Sequence, residues 1–573
     1  MGLLDALQIG GNALMAHQAA LQITGNNITN SATPGYARQV PMLSATGETR
    51  YGNGVRGGAG VQLTDIRRMM DQALEERIHD ANGQTARYQV ADQTLNRLES
   101  IMNELTDTDL STAMTQFFNK WSQLAQSPQD PAQRGIVLQG AISLTGQFNQ
   151  MRSSMEDLRQ DLGEQLEGAV KEADRLAGAI ADLNVQIVSA ESGGATAASL
   201  RDQRDRNLSE LSQMIGISTR EDANGSVNVF VGSEPLVYNG DSRGLEMINQ
   251  TVNGQTQKVI SFSDNQCQAT LSGGKIMGLQ ATRDGELSQA ISRLDSLANQ
   301  MIWQVNSIHA NGAGLEGFPT ATGTYGVKDQ ASALNSAAAG LVFKPVNGSF
   351  NISVTTTVGG QPTTLTRQIN VNLAGAATDT TLNSLVASLN TVAGVSASVN
   401  ALGQLKIDTS TSGARINFSK DTSGTLASLG INTFFTGSGA GDIRLNPVFD
   451  NNDTGRIAAG LCVDGKVQPG DGETAGRIAS LAKSPIASLN DLSLLEYHQG
   501  LVNDVAVWTA GARDAATSSG VVQDSLNAQH ESVSGVSTDE EAVNLMRYQR
   551  AFQGSARLIS VVNELLDTLM KLV

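Results

Sequence analysis

Cysteine is almost absent, with Cys267 and Cys462 the only two in 573 residues. That count excludes a disulfide scaffold and any Cys-rich zinc site. Aromatic residues make up 4% of the chain, thin material for the aromatic-lined pocket of an enzyme. No stretch approaches the roughly 18 consecutive apolar residues that a membrane-spanning helix needs. Basic residues are outnumbered, 39 Lys+Arg against 56 Asp+Glu, for a formal net charge of −17. A general nucleic-acid binder would carry a basic patch or stripe instead. The N-terminus also lacks the basic n-region of a signal peptide: Met1-Gly2-Leu3-Leu4-Asp5 carries an acid, and the first arginine is Arg38. The expectation is export that is either absent or by a route leaving this end intact. The Ser or Thr of a myristoylation site is missing as well.

What remains is a long chain rich in Gly (59 residues), Ala, Ser, Thr, Asn and Gln, a composition suited to a structural, secreted protein. At roughly 100–200 residues per domain, its length predicts about three to five domains. Residues 1–30 carry Leu7, Leu14, Leu21 and Ile28 on one stripe at heptad spacing, half of a coiled-coil seam. Thr33-Pro34-Gly35-Tyr36 should end this helix near Asn30, with Pro and Gly placed for a type II turn. A glycine-rich hairpin or extended loop is expected from Gly47 to Gly60. From about Asp71 to Ile215 the pattern is helical and charged, cut at Ser127-Pro128-Gln129-Asp130-Pro131. Short alternating strands follow Gly225 and end near Leu271, and another helix runs from about Leu279 to His309. The block from 311 to 480 is poor in charge and alternates at period two, as in Ile369-Asn370-Val371-Asn372-Leu373, so it reads as β-rich. A last helical region begins near Ile486 and pauses at Ser534-Gly535.

The final helix is the best defined. Ser537 and Thr538, followed three residues later by Glu540 and Glu541, offer capping boxes. Leu545, Tyr548, Phe552, Ser555, Ile559, Val562, Leu566, Leu569 and Val573 then alternate at spacings of three and four, an a/d seam. Two apolar stripes at opposite ends of the chain, each marginal alone, predict partners in each other or in neighbouring chains.

Motifs with catalytic spelling fail on context. Gly52-Asn53-Gly54-Val55-Arg56-Gly57 matches a dinucleotide fingerprint without a strand–helix unit around it. His530-Glu531 begins like a zinc-protease helix, but Ser534 stands where the second His must be. Ser480-x-x-Lys483 and Ser263-Asp264-Asn265 spell two β-lactamase-like motifs in reversed order. Asp450-x-Asn452 opens like a calcium loop, with Leu461 where the bidentate Glu is needed. The chain is expected to be no enzyme and to hold no cofactor or metal.

One resemblance stands out. Ala13-Leu14, Gln18-Ala19-Ala20-Leu21, Thr24-Gly25-Asn26-Asn27-Ile28-Thr29-Asn30 and Thr33-Pro34-Gly35-Tyr36-Ala37-Arg38-Gln39 resemble the N-terminal motif of bacterial flagellar rod, hook and hook-associated proteins. Tyr36-Ala37-Arg38-Gln39 is closest to the hook-associated members of that family. At the other end, Ser534-Gly535-Val536-Ser537, Asp539-Glu540-Glu541, Asn544-Leu545, Tyr548-Gln549-Arg550-Ala551-Phe552 and Ala556-Arg557 are similar too. Internal agreement covers Gly273–Leu279 and the stretch through Val305–Gly312, with Asn311 a small departure where the family usually has Gln. Residues 381–418 resemble a helix-then-hairpin insert found in flagellins and hook-associated proteins.

The resemblance implies a structural adaptor at the junction of hook and filament, outside the cell, exported through the flagellar type III apparatus. It implies self-assembly through the terminal helices and, as partners, hook protein, hook-associated protein 3 and a flagellar export chaperone, with neither nucleic acid nor membrane insertion. The expected fold is multidomain α+β. Residues 1–40 and 535–573 form the two halves of a coiled-coil inner domain. Residues 41–312 and 481–534 form a helical rod-like domain with a β-hairpin region near 225–272, and 313–480 an inserted β-rich outer domain. The expected assembly interface is Leu7, Leu14, Leu21, Ile28, Leu545, Tyr548, Phe552, Ile559, Val562, Leu566 and Leu569. The family turn motif is Asn26, Asn27, Thr33, Pro34, Gly35, Tyr36 and Arg38. The terminal segments should stay flexible until they join neighbours. Rival readings are another axial protein, such as a hook subunit, and a secreted adhesin or enzyme displayed on a flagellar scaffold.

Overall fold

The computed structural model describes residues 2–572 apart from 34, 51–55, 103–108, 195, 253–254, 359–360, 377, 452, 464 and 469. The fold is multidomain α+β, and the chain divides into two compact units. Unit 1 comprises Met1–Thr94, Asp161–Arg283 and Ala510–Val573; unit 2 comprises Leu95–Gln160 and Asp284–Thr509. The segment expected as one rod-like domain, 41–312, therefore contributes to both.

In unit 1 the N-terminal helix Leu3–Thr29 leads into antiparallel strands Gln39–Ala45 and Val61–Arg68, with a shorter pair, Glu48–Arg50 and Arg56–Gly58, toward the tip. This is the hairpin expected over the glycine-rich stretch; most of the fingerprint at 52–57 lies outside the described residues. The 61-residue helix Pro131–Glu191 enters the unit at Asp161. There it buries Leu162, Leu166, Val170, Ala173, Ala177, Ile180 and Ile187, the three-and-four spacing of a core-facing stripe. The sequence reading carried helix through to Ile215, but the structure breaks it after Glu191. Gly194 sits there at φ +86°, a backbone conformation that favours glycine, and the helix Ala198–Met214 starts afresh. A meander, Ser218–Glu221, Val227–Val231, Glu234–Tyr238 and Asp241–Ser242, then packs its valines inward. Buried Asn184 fastens the long helix to it, donating to the Val227 carbonyl at 2.8 Å and accepting from the Val227 N–H at 3.0 Å.

In unit 2 the helix Leu110–Gln126 opens on Asp109, whose carboxylate accepts from the Thr112 N–H, the ordinary N-cap contact. Its buried face, Met114, Phe117, Phe118, Trp121 and Leu124, meets Phe434, Phe435, Phe449 and His309 in one aromatic cluster. Ring centroids there are 4.9 Å apart for Phe434–Phe435 and 5.1 Å for Trp121–Phe434. Phe117, Phe118, Trp121, Phe434, Phe435 and Phe449 thus meet where two distant segments join. A second core lies wholly within 310–431, around Leu334, Phe350, Ile352, Leu382, Ile407 and Phe418. It holds the helix Leu382–Leu389, followed by strands Val395–Val399, Leu405–Thr409 and Arg415–Ser419. The expected β-rich block therefore divides: up to residue 431 it has its own core, whereas 434–457 packs on helices Leu110–Gln126 and Ser288–His309.

Candidate functional site: the paired chain ends

The two ends of the chain form one antiparallel helix pair. Near the start of the C-terminal helix, Thr538–Leu572, Asn27 donates to Glu541 at 2.9 Å. Farther along, an ideal Cβ built on Gly10 would lie 2.7 Å from the Ile559 Cγ1. The backbones can approach this closely at Gly10, Ala16 and Ala20, the small residues among the six buried on the N-terminal helix; the others are Ile23, Thr24 and Asn27. Leu7, Leu14, Leu21 and Ile28 are only half-buried and flank the contact rather than fill it. On the C-terminal helix Tyr548 and Val562 are buried; Leu545, Phe552, Ile559 and Leu566 are half-buried; Leu569 is 52% exposed. Val573 lies outside the described residues. Apolar side chains remain open on both helices, including Leu4, Met15, Val543, Met546, Val561 and Leu565.

A polar knot closes one end of the pair. Asn27 is 1% exposed and uses its whole side-chain amide. Its Nδ2 donates to the Gln39 carbonyl and to Glu541, while its Oδ1 accepts from the Tyr36 hydroxyl at 2.8 Å and the Gln39 N–H at 3.0 Å. Arg38 donates from Nε to Glu541 at 3.0 Å and from NH1 to Glu540 at 2.8 Å, with NH2 also 2.8 Å from Glu541. The Arg38 N–H donates to the carbonyl of Ser534, the last residue of the helix Leu494–Ser534. The Glu540 and Glu541 carboxylates therefore reach across to Arg38 instead of back to a capping residue. Of the expected capping boxes, only a 3.4 Å contact from the Glu540 N–H to Ser537 Oγ remains.

The turn that presents Tyr36 and Arg38 is closed by the Tyr36 N–H donating to the Thr33 carbonyl, with Gly35 at φ +73°, as a type II turn requires. Pro34 lies outside the described residues. Asn26 is exposed, and its carbonyl accepts from the Thr29 hydroxyl and the Asn30 side-chain amide. Burial pushes the Tyr36 phenol up to about 12, with the Asp202 and Glu541 carboxylates adding to the shift. It therefore stays a donor across the physiological range. Beneath the turn, Arg68 pairs with Asp202 at 2.6 Å and Asp205 at 2.5 Å. Burial holds the Asp202 carboxyl above its ordinary value, against the pull of Arg68. His530 and Glu75 pair at 2.8 Å, which uses the histidine of the failed zinc motif. Likewise Asp264 pairs with Arg243, and Ser480 Oγ donates to the Arg477 carbonyl. Asn452, in the calcium-like loop, lies outside the described residues. Among the described residues no group of three or more His, Cys, Asp or Glu is placed to hold a metal, and no helix is long and apolar enough to cross a membrane.

Sequence reasoning missed Gly10, Ala16, Ala20, Ile23 and Glu541 as members of this site. The legible signal was the 4-3-4 spacing of 16, 20, 23 and 27, hidden because all of those residues but Ile23 are small or polar.

Ends that meet as one helix pair, closed by the turn motif and leaving apolar surface uncovered, fit the resemblance to flagellar axial proteins of the rod, hook and hook-associated class. The comparisons agree. Family models match at residues 7–36 (flagella basal body rod protein), 528–572 (flagellar basal body rod FlgEFG protein C-terminal) and 95–324 (flagellar hook-associated protein FlgK helical domain). Flagellar hook-associated protein 1 of Escherichia coli (strain K12) is 24% identical over 582 residues, covering 98% of each chain. That of Bacillus subtilis (strain 168) is 23% identical over 594 residues, covering 98% of this chain and 96% of its own. In fold, the chain is similar to the flagellar hook junction protein FlgK from Burkholderia pseudomallei. The TM-score is 0.50 at 17% identity, over 80% of this chain and 100% of that one. Over almost its whole length the chain is thus similar to flagellar hook-associated protein 1.

Proposed function

We infer that this chain is the structural adaptor that joins hook to filament, and that it works by self-assembly rather than catalysis. The observation that carries this reading is the helix pair itself: ends more than 500 residues apart in sequence close on each other, yet large apolar side chains stay outside. Exposed apolar area is a liability in a free chain and a contact surface in an assembly. Assembly then consists of covering those side chains with the corresponding helices of neighbouring subunits. The half-buried stripe Leu7, Leu14, Leu21 and Ile28 would be completed by a neighbour in the same way. The layer would meet hook protein on one side and hook-associated protein 3 on the other. An export chaperone would cover the C-terminal helix until the chain leaves the cell through the flagellum's own channel. The β-rich part up to residue 431, with its separate core, would project outward. The alternative, a hook subunit, is disfavoured by the match of the hook-associated helical domain at 95–324.

The test is complementation. A strain lacking this chain should make hooks and shed filament protein into the medium, and the full chain should restore attached filaments. Attached filaments in its absence would refute the reading.

A further inference from the structure

The helix pair has an unusual division of labour. Its apolar seam alone fixes register loosely: half of the buried face of the N-terminal helix is glycine or alanine, with Ile23 its single large apolar residue. On the C-terminal helix, apolar positions repeat at heptad intervals, as at Leu545, Phe552, Ile559 and Leu566. Sliding one helix past the other by a heptad, about 10 Å at 1.5 Å per residue, brings Phe552 or Leu566, both apolar, to the level of Gly10 in place of Ile559. Burial alone distinguishes such registers weakly.

The polar knot has no such degeneracy. Asn27 occupies a seam position in the series 16, 20, 23, 27, and its bond to Glu541 is the only hydrogen bond crossing between the two helices among the described residues. The Glu541 side chain is 3% exposed, and Arg38 supplies its counter-charge. A heptad slip would strand a buried carboxylate and a buried amide together. A buried pair broken in this way costs far more than its formation gains.

We propose that Asn27, Glu541 and Arg38 are positioning residues, a register lock for the terminal helix pair. The lock also decides what the pair presents at its other end. Asn27 stands at Glu541 and Gly10 at Ile559, so Leu3 reaches only the level of Leu566. The stretch Asp567–Leu572 then overhangs the N-terminal helix, consistent with Leu569 at 52% and Met570 at 75% exposure. A one-heptad slip would abolish that overhang or double it, and would change the contact offered to the next subunit. The lock concerns the pair within one chain and stands apart from the junction reading.

Disulfide trapping in the full chain tests it. In a background with Cys267→Ser and Cys462→Ser, Gly10→Cys is combined with Ile559→Cys for the native register, or with Phe552→Cys or Leu566→Cys for the two slipped ones. With the knot intact, the native pair should cross-link at least tenfold faster than either slipped pair. In the apolar triple variant Asn27→Leu, Arg38→Leu, Glu541→Leu, which leaves no stranded charge, that preference should fall to within about twofold. Circular dichroism should show the helix content retained. If the triple variant keeps the native preference, close packing at Gly10 sets the register and the proposal is overturned. Absence of native cross-linking with the knot intact would overturn it too.

Discussion

Val562→Asp puts the helix pair to a direct test. Val562 is 3% exposed, the most buried apolar side chain of the C-terminal helix. An aspartate there has no counter-ion among the residues of the knot, which lies about six turns away. Neutralising it at pH 7 from an ordinary pKa near 3.9 costs about 4 kcal/mol, and the lost valine burial adds about 2 kcal/mol. A loss of about 6 kcal/mol disfavours the closed pair about 10⁴-fold, more than a helix pair of this length can spare. Outside the helix pair, unit 1 is packed through other residues, such as Leu162, Leu166 and Ile180, and unit 2 has its own core within 310–431. The main thermal transition of purified protein should therefore move by no more than about 2 °C, while amide exchange in residues 3–29 and 538–572 accelerates sharply. In cells the expected result is folded, soluble chain and filament protein shed into the medium. The same change at Arg550, which is exposed, is the control and should be mild. Wild-type filament attachment with Val562→Asp would refute the argument that the closed pair is needed for assembly.

Phe552→Asp, at a half-buried position, should act in the same direction with a smaller effect, read as partial filament loss. Arg38→Ala leaves Glu541 buried without its cation and should destabilise the pair by about 3 kcal/mol, measurable as faster amide exchange around residue 541. In unit 2, His309 Nδ1–H donates to the Asn432 carbonyl and Nε2 accepts from the Ala458 N–H. Burial, assisted by Arg134, drives its pKa down to about 4 despite the Asn432 contact. A depressed histidine contributes stability that is complete above pH 6.5 and lost as pH falls toward 4, so unfolding at pH 5 should be easier by about 2 kcal/mol. His309→Gln should flatten that slope in denaturant titrations. His530 carries the opposite sign: Glu75 raises its pKa, so its contribution is present below pH 6.5 and lost as pH rises through the raised value. Finally, the Tyr325 N–H donates to the Leu429 carbonyl, so replacing 326–428 by a short Gly/Ser linker should leave motile cells. Extending the excision to 325–470 would remove the partners of Asn306, His309 and Arg134 and should cost the fold of unit 2.

Features set by local chemistry were legible in the sequence. The stop of the first helix at Thr33–Tyr36, the cut at 127–131 and the pause at Ser534-Gly535 each follow from Pro, Gly or capping residues acting within a few positions, and the structure places them there. Features decided by distant partners were not. Glu540 and Glu541 spell a capping box to their own neighbours, but Arg38, some 500 residues earlier, is the stronger claimant. The leucines at 7, 14 and 21 drew attention because large apolar residues dominate any periodicity count. The contact selects small residues, because approach of two backbones is limited by the bulk between them. Similarly, nothing near Phe434 announces that Trp121 and His309 will pack on it.

The most direct test of the junction reading is electron cryomicroscopy of detached hooks. This chain should form a layer at the distal end of the hook, with helices Leu3–Thr29 and Thr538–Leu572 paired antiparallel and lining the inside of the tube. Their exposed apolar faces should be covered by neighbouring subunits. Density for the chain along the rod or the body of the hook, or terminal helices on the outer surface, would contradict it.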